Sequence, residues 1–99
     1  MPEASVIVRA RDEAATIERT LKSLRSQTVD PEIIVVDSGS RDGTLEIARR
    51  YCDRLIQIRP DEFTYGRALN IGARAASAPV HFALSAHCWP ERDDWIERS

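Results

Sequence analysis

Short apolar runs alternate with amphipathic stretches along this chain, and that alternation leaves few folds open. SVIVRA (5–10), IIVVD (33–37), DRLIQIR (53–59) and VHFALSA (80–86) are compact and rich in β-branched or aliphatic residues, the composition of strands buried on both faces. After the first, DEAATIERTLKSLRSQ places Ile17, Leu21 and Leu24 at i, i+4 and i+7, one face of a helix. SGSRDGTLEIARRY enters a second helix through a Gly/Ser-rich turn. GRALNIGARAAS predicts a third, whose Gly66, Asn70 and Gly72 let it lie close to its neighbours. PERDDWIER starts a last helix near the end. Strand–helix alternation with short connections means an α/β fold, a parallel sheet joined by right-handed crossovers.

Ninety-nine residues suit one domain, 1–99, with no internal repeat or linker. A net charge of −2 gives no bulk attraction to nucleic acid. No run approaches the ~20 apolar residues of a membrane span, and MPEASVIVRARDE lacks the pattern of a secretory signal. Cys52 and Cys88 form no CxxC pair and suggest no disulfide framework, so the expected location is cytoplasmic. A helix starting near Asp93 would leave Trp95 and Ile96 with nothing downstream to pack against. The expectation is a fragment of a longer protein.

Ligands of an open parallel sheet bind outside the carboxyl ends of its strands. Here those ends are Arg9-Ala10-Arg11-Asp12-Glu13, Asp37-Ser38-Gly39-Ser40, Arg59-Pro60-Asp61-Glu62 and Ser85-Ala86-His87-Cys88, a convergence of polar groups suited to an anionic ligand. RARDE has no glycine, so it cannot make the GxGxxG turn of a dinucleotide site, and no P-loop is present. A phospho-receiver domain carries its acceptor Asp after the third strand and a Lys after the fifth. This chain has no Lys beyond Lys22. A zinc site wants three or four ligands, against His81 and His87 with two separated cysteines. Cys88 reads as a small buried residue rather than a nucleophile, and His81 as structural.

VVDSGSRDGT (35–44) is the most specific stretch. Asp37 ends a strand, Gly39 allows an unusual backbone angle, and Asp42-Gly43-Thr44 turns into a helix. A plain Asx turn would account for it equally well. The stretch nonetheless closely resembles the most recognisable motif of family-two GT-A glycosyltransferases. SVIVRARDE is similar to that family's first strand and turn, FTYGRALNIGARAA (63–76) to its Gly-Arg-x-x-Asn-x-Gly segment, and LSAHCWP (84–90) falls where its metal-binding Asp-x-Asp is expected. The Phe-x-x-Gly-Arg-Ala-Leu-Asn-x-Gly wording leans toward the rhamnosyltransferase-like branch.

The resemblance implies a Rossmann-like GT-A three-layer sandwich, with strand order 3-2-1-4, that binds a UDP- or dTDP-sugar. It implies nucleotide-sugar contacts from Arg9, Ala10, Arg11, Glu13, Asp37, Ser38, Arg67, Ser85 and Ala86. Asp37 would accept a hydrogen bond from the N3–H of uracil or thymine. Arg11 stands where the family has a base-stacking Tyr, and a guanidinium can also stack. Arg9 replaces a Pro and adds positive charge near the diphosphate. Glu13 either touches the nucleoside or favours the first helix N-terminus. His87 occupies the metal position, where Mn²⁺ suits an imidazole and Mg²⁺ prefers a carboxylate.

The implied activity is inverting glycosyl transfer, hexosyl or rhamnosyl, to a glycan or lipid-linked acceptor in bacterial cell-wall or polysaccharide synthesis. The longer protein could then sit peripherally at the inner membrane face. The catalytic base is expected beyond Ser99, so this stretch alone should bind nucleotide and transfer nothing. The alternative is a non-catalytic nucleotide-binding or interaction module. A GT-A nucleotidyltransferase would show a Gly-rich loop after the first strand, which RARDE is not.

Overall fold

A computed structural model describes residues 4–28, 30–62, 64–78 and 80–86. The last expected helix, with Trp95 and Ile96, lies outside the described residues. In chain order the elements are β1 (Ala4–Ala10), α1 (Ala14–Arg25), β2 (Glu32–Asp37), α2 (Thr44–Tyr51) and β3 (Arg54–Gln57). A 3₁₀ turn (Pro60–Glu62), α3 (Tyr65–Ala75) and β4 (Val80–Ser85) follow. The strands make one parallel sheet in the order β3-β2-β1-β4, as expected. The third strand, Arg54–Gln57, is shorter than DRLIQIR, although the residues flanking it still bond β2. The Asp53 carboxylate accepts the Ile33 N–H at 2.7 Å, and the Ile58 N–H donates to the carbonyl of Asp37, the last residue of β2, at 2.8 Å.

Alternation along β1 divides the core in two. Ala4, Val6, Val8 and Ala10 face Ile17, Leu21 and Leu24 of α1 and Ala48 of α2. Ile7 faces the other way, packing with Ile34, Val36 and Ala68 of α3. So α1 and α2 cover one face and α3 the other, making three layers. Right-handed crossovers require this: the chain steps outward from β1 to β2 and β3, then returns to the opposite side of β1. The reversal puts the switch point, where open α/β sheets bind their ligands, between β1 and β4.

Of the three small positions in GRALNIGARAAS, one sets the close approach of α3. A Cβ at Gly72 would lie 2.5 Å from Cγ2 and 3.0 Å from Cγ1 of Ile7, whereas one at Gly66 would meet nothing within 4 Å. Asn70 is exposed. The packing role expected of all three therefore belongs to Gly72 alone. Ile7 is itself 2% exposed and cannot swing into solvent.

At the amino ends of the strands, polar groups lock the layers together. Arg25 donates from Nε to the Tyr51 carbonyl at 2.8 Å and from Nη2 to Asp53 at 3.0 Å, joining α1 to the end of α2. Glu32 accepts from Ser5 Oγ at 2.8 Å, Ser77 N at 2.8 Å and Ser77 Oγ at 3.0 Å. Burial pushes its carboxyl pKa upward, but these bonds and Arg54 outweigh that and hold it below an ordinary glutamate.

Gly72→Ala should destabilise the protein by roughly 1–3 kcal/mol through overpacking. Denaturant unfolding measures this, and Ile7→Val in the same chain should recover little of the loss, because valine keeps both γ-carbons that the added Cβ meets and removes only Cδ1, at 3.2 Å.

Candidate functional site

The carboxyl ends of the four strands lie along one edge of the sheet, and the two loops after β1 and β2 are bonded into a single unit there. The Ser38 N–H donates to the Ala10 carbonyl at 3.0 Å. The Asp12 N–H donates to Ser40 Oγ at 2.8 Å, and Asp12 Oδ1 accepts the Arg41 N–H at 2.7 Å. Asp12 has φ 51°, a left-handed conformation that a short polar side chain tolerates. These two bonds hold it there.

The same loop caps two helices. Glu13, at the start of α1, makes no capping bond with its own side chain. Instead Thr44 Oγ1 accepts the Glu13 N–H at 2.9 Å and Asp42 Oδ2 accepts the Ala14 N–H at 3.1 Å. Asp42 Oδ1 also accepts the Thr44 N–H at 3.0 Å and bonds the Thr44 hydroxyl. One aspartate thus satisfies orphan donors at the starts of both α1 and α2. The Thr44 hydroxyl, helped by the Ala14 and Thr44 N–H groups, holds the Asp42 carboxyl below an ordinary aspartate.

Asp37 sits at the end of β2 with 1% of its surface exposed. Its Oδ2 accepts from Gly39 N at 3.0 Å and Ser40 N at 2.9 Å, and Oδ1 accepts from the Ser40 hydroxyl. This is the Asx turn anticipated in VVDSGSRDGT. Gly39 has φ +98°, and a Cβ there would lie 2.6 Å from Pro60 Cγ, so the turn is also pressed against the 3₁₀ segment.

The register sorts the remaining expected residues by face. Arg9 pairs with Ser85 and Val36, on the side covered by α3. Ala10 pairs with Asp37, on the side of α1 and α2. The end of β4 is tied in by the Ala86 N–H, which donates to the Arg9 carbonyl at 2.9 Å. The Ala86 carbonyl accepts from Thr20 Oγ1 at 2.9 Å and Thr16 Oγ1 at 3.1 Å. Arg9, Ala10, Asp37, Ser38, Ser85 and Ala86 therefore share one edge of the sheet, with Arg9 and Ser85 on the α3 face and Ala10, Asp37 and Ala86 on the face of α1 and α2. Arg11 is exposed and Glu13 half-buried at the start of α1. Arg67 is exposed in the first turn of α3, where its N–H donates to the Thr64 N-cap hydroxyl at 3.0 Å. His81 donates from Nε2 to the Ala78 carbonyl at 2.9 Å, early in β4 and away from this edge.

A family model described as Glycosyl transferase family 2 matches residues 5–98. The chain belongs to glycosyl transferase family 2. It is 36% identical, over 99% of its length, to the glycosyltransferase AglE of Haloferax volcanii. It is 39% identical over 81% of its length to the validoxylamine A glucosyltransferase of Streptomyces hygroscopicus. Among solved structures, the mannosyltransferase PcManGT of Pyrobaculum calidifontis, in complex with GDP-Man and Mn²⁺, superposes over 96% of the chain with a TM-score of 0.80 and 29% identity. Glucosyl-3-phosphoglycerate synthase of Mycobacterium tuberculosis, with Mn²⁺, UDP and glucosyl-3-phosphoglycerate, superposes over 86% with a TM-score of 0.71 and 28% identity. The chain spans 34% of AglE and 30% of the Pyrobaculum chain, about a third of each.

Among the described residues no group of three or more His, Cys, Asp and Glu side chains is placed to hold a metal ion. His87, the expected ligand, and its neighbour Cys88 lie outside the described residues. Likewise no described helix is long and apolar enough to cross a membrane. The sequence pattern places Ser40 and Asp42-Gly43-Thr44 at this edge without marking the bonds they make between loops, and it does not single out Thr16 or Thr20. Thr16 and Thr20 carried a usable signal, two hydroxyls one helical turn apart beside the apolar stripe. Nothing local marks Asp42 as a cap for a helix that begins 28 residues earlier.

Two outcomes follow for this family-2 edge. Asp42 has a depressed folded pKa, so its contribution to stability is present above about pH 3.9, the unfolded value, and is lost as pH falls through the folded pKa. Urea midpoints at successively lower pH should fall more steeply in wild type than in Asp42→Asn. Gly39→Ala should destabilise by at least about 1–2 kcal/mol, the cost of a left-handed residue with a Cβ, read by thermal unfolding.

Proposed function

We propose that this chain forms the donor-binding part of an inverting hexosyltransferase, holding a uridine or thymidine diphosphate sugar at the carboxyl ends of β1, β2 and β4. The observation that carries the reading is the Asp37 carboxylate, buried at the end of β2, the strand next to the switch point's β1. A carboxylate offers about four acceptor positions. Gly39 N, Ser40 N and the Ser40 hydroxyl use three. The remaining position, on Oδ1, takes the N3–H of a uracil or thymine. The turn holds the carboxylate in place before the base arrives, so little side-chain entropy is lost on binding. The nucleotide complexes of the mannosyltransferase and the phosphoglycerate synthase support a nucleoside diphosphate as the ligand class.

Around the base and diphosphate, Arg11 stacks or pairs with the nucleotide, and Arg9 and Arg67 supply positive charge from the α3 side. Ala10, Ser38, Ser85 and Ala86 provide small surfaces that let ribose and diphosphate come close, with Glu13 beside the nucleoside. In the inverting reaction an acceptor hydroxyl oxygen bonds to the anomeric carbon as the bond from that carbon to the diphosphate oxygen breaks. The electron pair leaves on the nucleoside diphosphate, and the hydroxyl proton passes to a carboxylate base. A divalent ion such as Mn²⁺, when bound, would neutralise the leaving diphosphate. Among the described residues no group of three or more His, Cys, Asp and Glu side chains is placed to hold it.

Calorimetry tests the reading. Asp37→Asn should weaken uridine diphosphate binding roughly 10- to 100-fold, the scale of one hydrogen bond to a charged group. Equal binding by the variant, together with equal binding of purine nucleotides to wild type, would refute it. His87 has its own test: Mn²⁺ should raise uridine diphosphate affinity in wild type and not in His87→Ala, and a gain that survives the substitution removes His87 from the metal position.

A further inference from the structure

Among the described residues, the hydroxyl of Ser40 touches both the Asp37 carboxylate and the backbone of the loop after β1. It donates to Asp37 Oδ1 and accepts the Asp12 N–H at 2.8 Å. A serine hydroxyl has a single proton. Because the Asp12 amide occupies one lone pair as donor, the Ser40 proton is directed to Asp37. Asp12 is constrained in turn by its left-handed φ of 51° and by the Arg41 N–H on its carboxylate at 2.7 Å. The direction of the Ser40 O–H is thus set by the β1 loop, not by rotation of its own side chain.

We infer that Ser40 is a positioning residue for base selection: it fixes which acceptor position of Asp37 Oδ1 stays open and couples that position to the loop carrying Arg11 and Glu13. The inference rests on the reading of Asp37 given above and deepens it. Base choice follows from the geometry. With the Ser40 proton and the two turn amides in place, the open position accepts a donor and repels an acceptor. Uracil presents N3–H, whereas cytosine presents an unprotonated N3. Without the Ser40 hydroxyl, Oδ1 has two open positions and the Asp12 N–H loses its partner. The carboxylate can then adapt to other base edges, and the β1 loop loses its anchor.

The readout is the ratio of uridine diphosphate to cytidine diphosphate affinity, measured by calorimetry on the intact protein without added metal. In Ser40→Ala the ratio should fall by about fivefold or more, the scale of one lost hydrogen bond, while Ser40→Thr stays within about twofold of wild type. A role confined to loop stability would lower the affinity for both nucleotides together and leave the ratio unchanged. Such a result in Ser40→Ala, with the ratio lost in Asp37→Asn, overturns the role of Ser40 and leaves the reading of Asp37 standing. An unchanged ratio in Asp37→Asn refutes the base reading and the present inference with it. Should Ser40→Ala fail to fold, Ser40→Cys keeps the shape with a weaker donor, and a ratio equal to wild type there overturns the inference.

Discussion

Everything in this fold depends on β1 being hydrogen-bonded on both sides and covered on both faces. It pairs in parallel with β2 and with β4, and Val6, Ile7 and Val8 are buried whichever way they point. A parallel pair cannot be closed by a tight turn, so each neighbour is reached through a crossover. Parallel strands also align all their carboxyl ends at one edge. The core therefore dictates where polar loops gather, and it does so through the backbone of a strand with little chemistry of its own until Arg9.

At that edge the loops hold themselves with hydrogen bonds to backbone amides. The acceptors are carboxylates and hydroxyls: Asp12, Asp37, Ser40, Asp42 and Thr44. An acceptor that satisfies an orphan amide at a helix start removes the cost of leaving that amide bare. Because the bonds run between the β1 and β2 loops, each loop is ordered by the other. Such mutual support is what a site needs when its ligand-facing groups must be in place before the ligand arrives. The division of Arg9 from Asp37 across the sheet follows from the same backbone. Adjacent register positions on a strand point to opposite faces, which separates the strand's cationic group from its carboxylate neighbour.

Much of this was legible in the residues. The β-branched runs and the Ile17, Leu21, Leu24 stripe foretold the strands and the first helix, because burial on both faces calls for an unbroken apolar strand and burial of one helix face for a period of 3.6. The turn at Asp37-Gly39 was readable too, since few residues accept the angle Gly39 adopts. The small residues of α3 were readable as a class but not individually. Gly72 meets Ile7 while Gly66 meets open space, and only the placement of the helix on the sheet separates them. The clasp of Asp12, Ser40, Asp42 and Thr44 was invisible for a similar reason. Its bonds join residues 28 to 31 positions apart, and no local pattern encodes which distant amide a side chain will meet.

By itself the sequence determined the alternation of strands and helices, the parallel sheet and the motifs at its carboxyl edge. These follow from local properties: hydrophobic period, turn chemistry and the rule of right-handed crossovers. Only the tertiary structure decided which acceptor meets which donor. It set Asp42 on two helix starts, Thr16 and Thr20 on the end of β4, and Ser40 between Asp37 and Asp12. A hydrogen bond depends on tenths of an ångström and on angle. That precision exists only after the packed core has fixed the spacing of the strands that carry the loops.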